Sequence, residues 1–201
     1  MAKKPRGKTI FLKLAKSWET RAKNDDRYDV RLACFEQAVT YFSMAGMHED
    51  AARIYMRLAA GEKDPGKKEG FYGKALEEAG KSDDRATAYA NLVRMVKALG
   101  KKGEFFHLAS VEAEKAGNMA DAGRYAGLAG RNYERESIRK KGEPEEADMA
   151  EKASENYRKV ATLSKVTAGM MEAADELMKR ADELKEKAKK AKEKEKKKVK
   201  E

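Results

Sequence analysis

The sequence predicts an all-α protein, and three observations support this fold class. Residues that favour helices, chiefly Ala, Lys, Glu, Leu, Met and Arg, dominate the 201-residue chain. The chain contains only three prolines, and no long run of Val, Ile and Thr indicates a sheet. A short Ala-Gly turn between two helical segments recurs along the chain, which is typical of a helical array.

The recurring turn is clearest in two segments. Residues 45–55 read AGMHEDAARIY, and residues 116–125 read AGNMADAGRY. In each, a glycine just past a helix end supplies a left-handed backbone conformation, and an alanine in the next helix allows close helix approach. We expect Gly46 and Gly117 to form the turns and Ala51 and Ala122 to be contact sites. Helical arrays are commonly binding scaffolds.

The first half of the chain divides into five predicted helices. The spacing predicts a helix over residues 10–23 with an apolar face, which consists of Phe11, Leu14, Ala15 and Trp18. We expect this basic helix to pack on the array; the alternative is a helix lying on a membrane surface. The other helices are predicted over residues 28–45, 48–60, 67–79 and 82–99, with Asp64-Pro65-Gly66 as a loop, Gly80 as a stop and Ser82 as a cap.

The second half predicts a helix pair and then a longer segment. The pair covers residues 104–116 and 118–140, and Pro144 suits the first turn of a following helix. Beyond it, apolar residues recur every seven positions with alanines between them: Leu163, Met170, Leu177, Leu184 and Ala191, interleaved with Ala174, Ala181 and Ala188. We expect this seam to pack back on the array and the chain to fray beyond Ala191. Whether residues 145–200 form one helix or two stays open.

Charge suggests how the chain is organised. Residues 1–27 and residues 179–201 each carry a net charge of +6, and because the total is +10, the middle of the chain carries −2. We therefore predict a disordered basic N-terminus (residues 1–8), a helical-repeat domain (9–163) and a long basic C-terminal helix (164–201) with a solvated Lys-rich end. Such ends attract phosphate-rich or acidic surfaces.

Signals for catalysis are poor. His48 and His107 have no His or Cys neighbour at metal-ligand spacing, and no phosphate-binding loop or nucleophile elbow is present. Acidic pairs such as Glu49-Asp50 stand at predicted helix starts, where they complement the helix dipole. The single Cys34 lies in an apolar segment and is expected to be buried. We therefore predict a protein that is not an enzyme and uses no metal, cofactor or small-molecule substrate.

We expect a cytoplasmic location, because residues 1–20 contain no apolar run long enough for a signal peptide and no segment approaches a membrane span. We expect a monomer, because the alanines of the seam bury little area.

The segment from Phe35 to Pro65 resembles the tetratricopeptide repeat, a helix–turn–helix unit. Gly46 matches the family's turn glycine, Ala51 its small residue in the second helix, and Tyr55 the aromatic residue four positions later. The likeness is looser elsewhere, where its matches are Gly80, Tyr89, Gly117 and Ala122. The uneven spacing is similar to that of the soluble NSF attachment proteins. The resemblance implies an irregular, right-handed solenoid of three to four helical hairpins; an irregular helical bundle is the alternative.

The resemblance also implies a function. First helices of such hairpins line a concave surface that receives a peptide or helix of another protein. The residues expected to contact a partner on this basis are Arg31, Gln37, Thr40, Tyr41, Lys74, His107 and Glu112. The alternatives are a protein that associates with nucleic acid or the ribosome through its Lys-rich termini, and a membrane-peripheral trafficking adaptor.

Overall fold

The computed structural model describes residues 6–168 and 171–198. Within these residues all regular structure is helical, which confirms the all-α prediction, and within each half of the chain consecutive helices pack side by side. The helices are α1 (Arg6–Asn24), α2 (Tyr28–Met44), α3 (His48–Gly61), α4 (Pro65–Ala79), α5 (Arg85–Leu92), α6 (Leu99–Lys115), α7 (Met119–Arg139), α8 (Glu145–Ala168) and α9 (Met171–Lys198), with a 3-10 turn at Val93–Met95. None of the described helices is both long enough and apolar enough to cross a bilayer.

The chain forms two compact units. The N-terminal unit, Met1–Met95, contains α1 to α5, and the C-terminal unit, Val96–Glu201, contains α6 to α9. This division differs from the predicted one, in which a repeat domain over residues 9–163 precedes a helix over 164–201. Residue 164 lies inside α8 and is not a helix boundary.

The two predicted turns have the predicted geometry. Gly46 and Gly117 have φ angles of +72° and +77°, a region that other residues rarely adopt. Ala51 and Ala122 follow them in α3 and α7, and each is 0% exposed. The sequence therefore located both helix–turn–helix units and their contact positions.

Several helix ends differ from the prediction. Helix α1 begins at Arg6, so residues 6–8 of the expected disordered terminus are helical, and residues 1–5 lie outside the described residues. Helix α5 is capped by Asp84, whose side chain accepts from the Thr87 amide, and not by Ser82. It ends at Leu92, whereas a helix to residue 99 was predicted. Helix α6 already begins at Leu99, so Gly100 does not stop a helix.

In the C-terminal unit, two tyrosine rings pack directly against glycines of the preceding helix. A Cβ on Gly103 of α6 would lie 2.8 Å from two ring carbons of Tyr133 in α7. A Cβ on Gly130 of α7 would likewise lie 3.0 Å from ring carbons of Tyr157 in α8. Real Cβ contacts are essentially never as short as that at Gly103, so a side chain there would force the Tyr133 ring to move, and the contact at Gly130 is tighter than most real ones. Helices α7 and α8 thus each place a tyrosine ring on a glycine of the helix before it.

Buried serines add hydrogen bonds between neighbouring helices of this unit. Ser110 of α6 donates to the carbonyl oxygen of Ala122 in α7 over 2.8 Å. Ser154 of α8 donates to the carbonyl oxygen of Ala181 in α9 over 2.7 Å. Small residues let each helix pair approach closely enough for these bonds.

The predicted seam packs inside the C-terminal unit, against α8. Its buried members among the described side chains are Leu163, Ala174, Ala181, Leu184 and Ala188. Residues 145–168 and 171–198 form two helices, which answers the question that the sequence left open. Met170 of the predicted seam lies outside the described residues.

The Lys-rich segment, residues 185–201, is not wholly solvated, which corrects the prediction that the C-terminal end extends into solvent. Ala188 is 3% exposed, and Lys187 forms an ion pair with Glu146 of α8 at 3.4 Å. Lys192 forms a second ion pair, with Glu151, at 2.6 Å. The chain therefore continues to contact α8 as far as residue 192.

Candidate protein-binding surface

Helix α1 is fixed to the N-terminal unit through one face. Ala15 and Ala22 are 0% exposed on this face, and Glu19 between them is 6% exposed. The Glu19 carboxylate accepts from Arg53 at 3.1 Å and from Arg57 at 3.0 Å, and both arginines lie on α3. These contacts set the rotation of α1 about its axis, and so decide which of its residues face outward.

The electrostatics of this anchor favour the charged carboxylate. Burial raises the pKa of Glu19, but hydrogen bonds from Lys23 and Arg53 outweigh it, so the pKa lies below its ordinary value. Lys23 approaches the same oxygen at 2.9 Å. Glu19 is therefore an anion held by three cations, and α1 is locked on α3 at neutral pH.

An aromatic pair joins α1 to α2 on the neighbouring side. The rings of Phe11 and Tyr41 stack with centroids 6.3 Å apart. Helical spacing places Leu14 beside Phe11 and Met44 beside Tyr41, and Ile10 lies one turn before Leu14. Ile10 is 56% exposed, Leu14 38% and Met44 54%. We call these five residues, together with Gln37 and Thr40, the α1–α2 surface.

Exposed apolar side chains concentrate in the N-terminal unit. Among the described residues, six large hydrophobic side chains are exposed, and only Ile138 lies in the C-terminal unit. The other five are Ile10, Leu14, Tyr28, Met44 and Met47. Scattered exposed side chains are normal, whereas neighbouring ones around a stacked aromatic pair are typical of an interaction site.

Four of the seven predicted contact residues lie on α2. Arg31, Gln37 and Thr40 are exposed, and Tyr41 is half-buried against Phe11. Gln37, Thr40 and Tyr41 fall on one side of α2 by helical spacing, which is the side that carries Met44. Arg31 lies elsewhere on the helix. The structure thus brings three of these four residues together on the α1–α2 surface.

The other three predicted contacts make interactions within their own unit. Lys74 of α4 is exposed, and its ammonium lies 5.6 Å from the Tyr55 ring centroid. His107 of α6 is half-buried and bonds to Asn156 of α8 at 3.1 Å. Glu112 pairs with Lys115 at 2.7 Å. Their predicted role in partner binding stays a prediction.

A cleft of about 670 Å³ opens in another part of the N-terminal unit, beside a buried polar cluster. Glu78 is 8% exposed and accepts from Ser43 at 2.8 Å and from His48 at 3.0 Å. Lys81 pairs with its other oxygen at 2.8 Å. Burial raises the pKa of Glu78, but the bonds from Lys81, His48 and Ser43 outweigh this, so the pKa is lowered. The cluster fixes the ends of α2, α3 and α4 relative to one another.

Two of these features were not predicted from the sequence. His48 was considered only as a metal ligand, and its bond to Glu78 was not predicted, since Glu78 lies 30 positions later in the chain. The outward position of Leu14 was also missed, because its spacing matches that of Phe11 and Trp18. Among the described residues, no group of three or more His, Cys, Asp or Glu side chains is placed to hold a metal ion.

Comparison with known proteins identifies no family. No protein-family model matches the chain, and no curated protein matches it. Among solved structures, a chain described as "DHF58 filament" is 18% identical, covering 94% of this chain and 96% of that chain, with a TM-score of 0.40. The tetratricopeptide and NSF-attachment resemblances rest on the residues that suggested them.

Proposed function

We propose that this protein is a non-enzymatic scaffold that binds a helical segment of another protein on its α1–α2 surface. The observation that carries the proposal is the exposure of Ile10, Leu14 and Met44 around the Phe11–Tyr41 stack. Covering these side chains would remove apolar area from water, which favours association. The polar Gln37 and Thr40 would form part of the rim, as polar residues do around apolar interface centres.

The anchoring of α1 supports the proposal further. Glu19 joins Arg53 and Arg57, and Ala15 and Ala22 are fully buried, so the outward side of α1 is set before a partner arrives. A preformed surface loses little conformational entropy on binding, and more of the contact energy therefore contributes to affinity.

Association with nucleic acid or the ribosome through the Lys-rich termini is the rival function, and the C-terminal one comprises residues 185–201. Two lysines of that segment are already paired within the C-terminal unit: Lys187 with Glu146 and Lys192 with Glu151. Nucleic-acid affinity of this kind depends on lysines that are free to neutralise phosphates. These two pairs reduce the number of C-terminal lysines that are free to do so.

Site-specific photo-crosslinking tests the proposal. A photoreactive phenylalanine analogue would replace Leu14 in one protein and Ile138, the exposed hydrophobic residue of the C-terminal unit, in a matched control. Both would be irradiated in native lysate with and without nuclease. We expect protein adducts at position 14 that are absent at position 138, survive nuclease and disappear when Ile10 is replaced by Asp. Equal adducts at both positions, or adducts lost with nuclease, would contradict the scaffold.

A further inference from the structure

The charges beside the apolar residues of α1 are of one sign. Helix α1 contains six basic residues and one acidic residue. The single acid, Glu19, is buried in its ion pairs with α3 and does not reach the outer side. Lys13 and Lys16 are exposed, and their ammonium groups form no ion pair or hydrogen bond among the described residues. The outer side of α1 is therefore basic as well as apolar.

Helical spacing places two cations along the apolar residues. Lys13 follows Ile10 by three positions and lies on its outer flank, and Arg21, also exposed, follows Leu14 by seven positions and so lies on the same side of α1 two turns further along. Lys16 follows Leu14 by only two positions and lies toward the opposite side of the helix. At the far end, Arg21 lies over the half-buried Trp18 ring, 5.3 Å from its centroid. From Ile10 to Arg21 the apolar and basic side chains extend for about 16 Å along the helix, which is three turns.

The exposed apolar strip of α1 fits a partner helix better than it fits a lipid bilayer. An interfacial membrane helix inserts a broad apolar face into the lipid. In α1 the face that contains Ala15 and Ala22 is buried in the unit, so only a narrow apolar strip remains outside. The second wall of the surface is α2, where Gln37 and Thr40 are uncharged and would contact polar side chains of a protein. One partner helix of about three turns would cover the strip.

We infer that the α1–α2 surface binds an acidic amphipathic helix of a partner protein, an inference that rests on the proposed function. Its apolar face lies over Ile10, Leu14 and Met44, and its flanking carboxylates lie beside Lys13 and Arg21. The contact is the helix-in-groove type, in which apolar anchors give affinity and rim charges give selectivity.

Three synthetic helical peptides test this inference. They share one leucine face and differ only in the flanking residues, which are all Glu, all Gln or all Lys. Fluorescence anisotropy would give their affinities for the full chain and for two charge-reversal variants, K13E/R21E and the control K194E/K197E, whose lysines are exposed on α9. Vesicles of anionic and of neutral lipid would be tested in parallel.

We expect the Glu peptide to bind about tenfold more tightly than the Gln peptide at about 50 mM salt, and the difference to shrink at about 500 mM. K13E/R21E should reverse the preference in favour of the Lys peptide, and K194E/K197E should not. Equal affinity for the Glu and Gln peptides, no peptide binding, or binding to anionic vesicles alone would overturn the inference. If the peptides bind but the I10S/L14S substitutions do not weaken their binding, the α1–α2 surface is not the binding site, and the proposed function fails with it.

Discussion

The ring of Tyr133 occupies the space that a side chain on Gly103 would need. A Cβ at Gly103 would lie 2.8 Å from the Cδ1 and Cε1 atoms of that ring, closer than real Cβ contacts. Gly103 is buried in the second turn of α6, where alanine would otherwise be the better helix former. Packing against α7 therefore overrides helix propensity at this position.

Replacing Gly103 with Ala should destabilise the C-terminal unit by about 1–3 kcal/mol, since the ring of Tyr133 must move. Gly127→Ala on α7 is the control, because its Cβ would lie an ordinary 3.7 Å from Val160 and the substitution should be neutral or stabilising. Urea denaturation followed by circular dichroism would compare the two variants. Equal stabilities for G103A and G127A would contradict the packing described.

The close-contact alanine of the first turn gives a second prediction. Ala51 is 0% exposed in α3, so Ala51→Leu should cost about 1–3 kcal/mol through overpacking. Ala60 is exposed on the same helix, and Ala60→Leu should leave stability within about 0.5 kcal/mol of the wild type. Thermal melts of both variants would check this. An unchanged melting temperature for A51L would count against the assignment of Ala51 as a contact site.

The C-terminal segment gives a third prediction, which replaces the expectation from sequence. Removing residues 185–201 takes away buried Ala188 and the ion pairs of Lys187 and Lys192 with α8, and should lower the melting temperature. Removing only residues 193–201 leaves these contacts in place and should have little effect. If the longer deletion melts like the full chain, the packing of this segment on α8 is wrong.

Acid should weaken the N-terminal unit in a way that depends on Glu78. Its pKa is lowered by folding from an ordinary 4.5, so its contribution to stability is present above that value and is lost as pH falls through the folded pKa. The variant E78Q should therefore lose less stability between about pH 6 and pH 3 than the wild type does. Melting temperatures across this range would measure the difference. E36Q, on exposed Glu36 of α2, is the control and should follow the wild-type curve.

Local sequence signals predicted much of the fold, because they depend on residues close together in the chain. Gly46 and Ala51 could be recognised, since a turn glycine and a small helix residue are needed wherever two helices meet in this way. Gly103 could not, because a glycine near a helix start also resembles a break, and the reason for it is Tyr133, 30 positions away. Contacts at long sequence separation decide such positions.

The candidate site was predicted only in part for the same reason. Gln37, Thr40 and Tyr41 were expected to contact a partner, and the structure places them together. The outward position of Leu14 depends on how Glu19 engages Arg53 and Arg57 on α3, 34 and 38 positions further along. Periodicity gives the apolar residues of a helix, but not which of them the neighbouring helices leave uncovered.

The most direct test of the scaffold is to map where the Glu-flanked peptide binds. Backbone amide NMR of the full chain would be recorded during a titration with that peptide. We predict shift changes that cluster in α1 and α2 around Leu14 and Tyr41 and that vanish in the I10S/L14S variant. Changes confined to α6–α9, or a pattern that persists in I10S/L14S, would contradict a binding site on the α1–α2 surface.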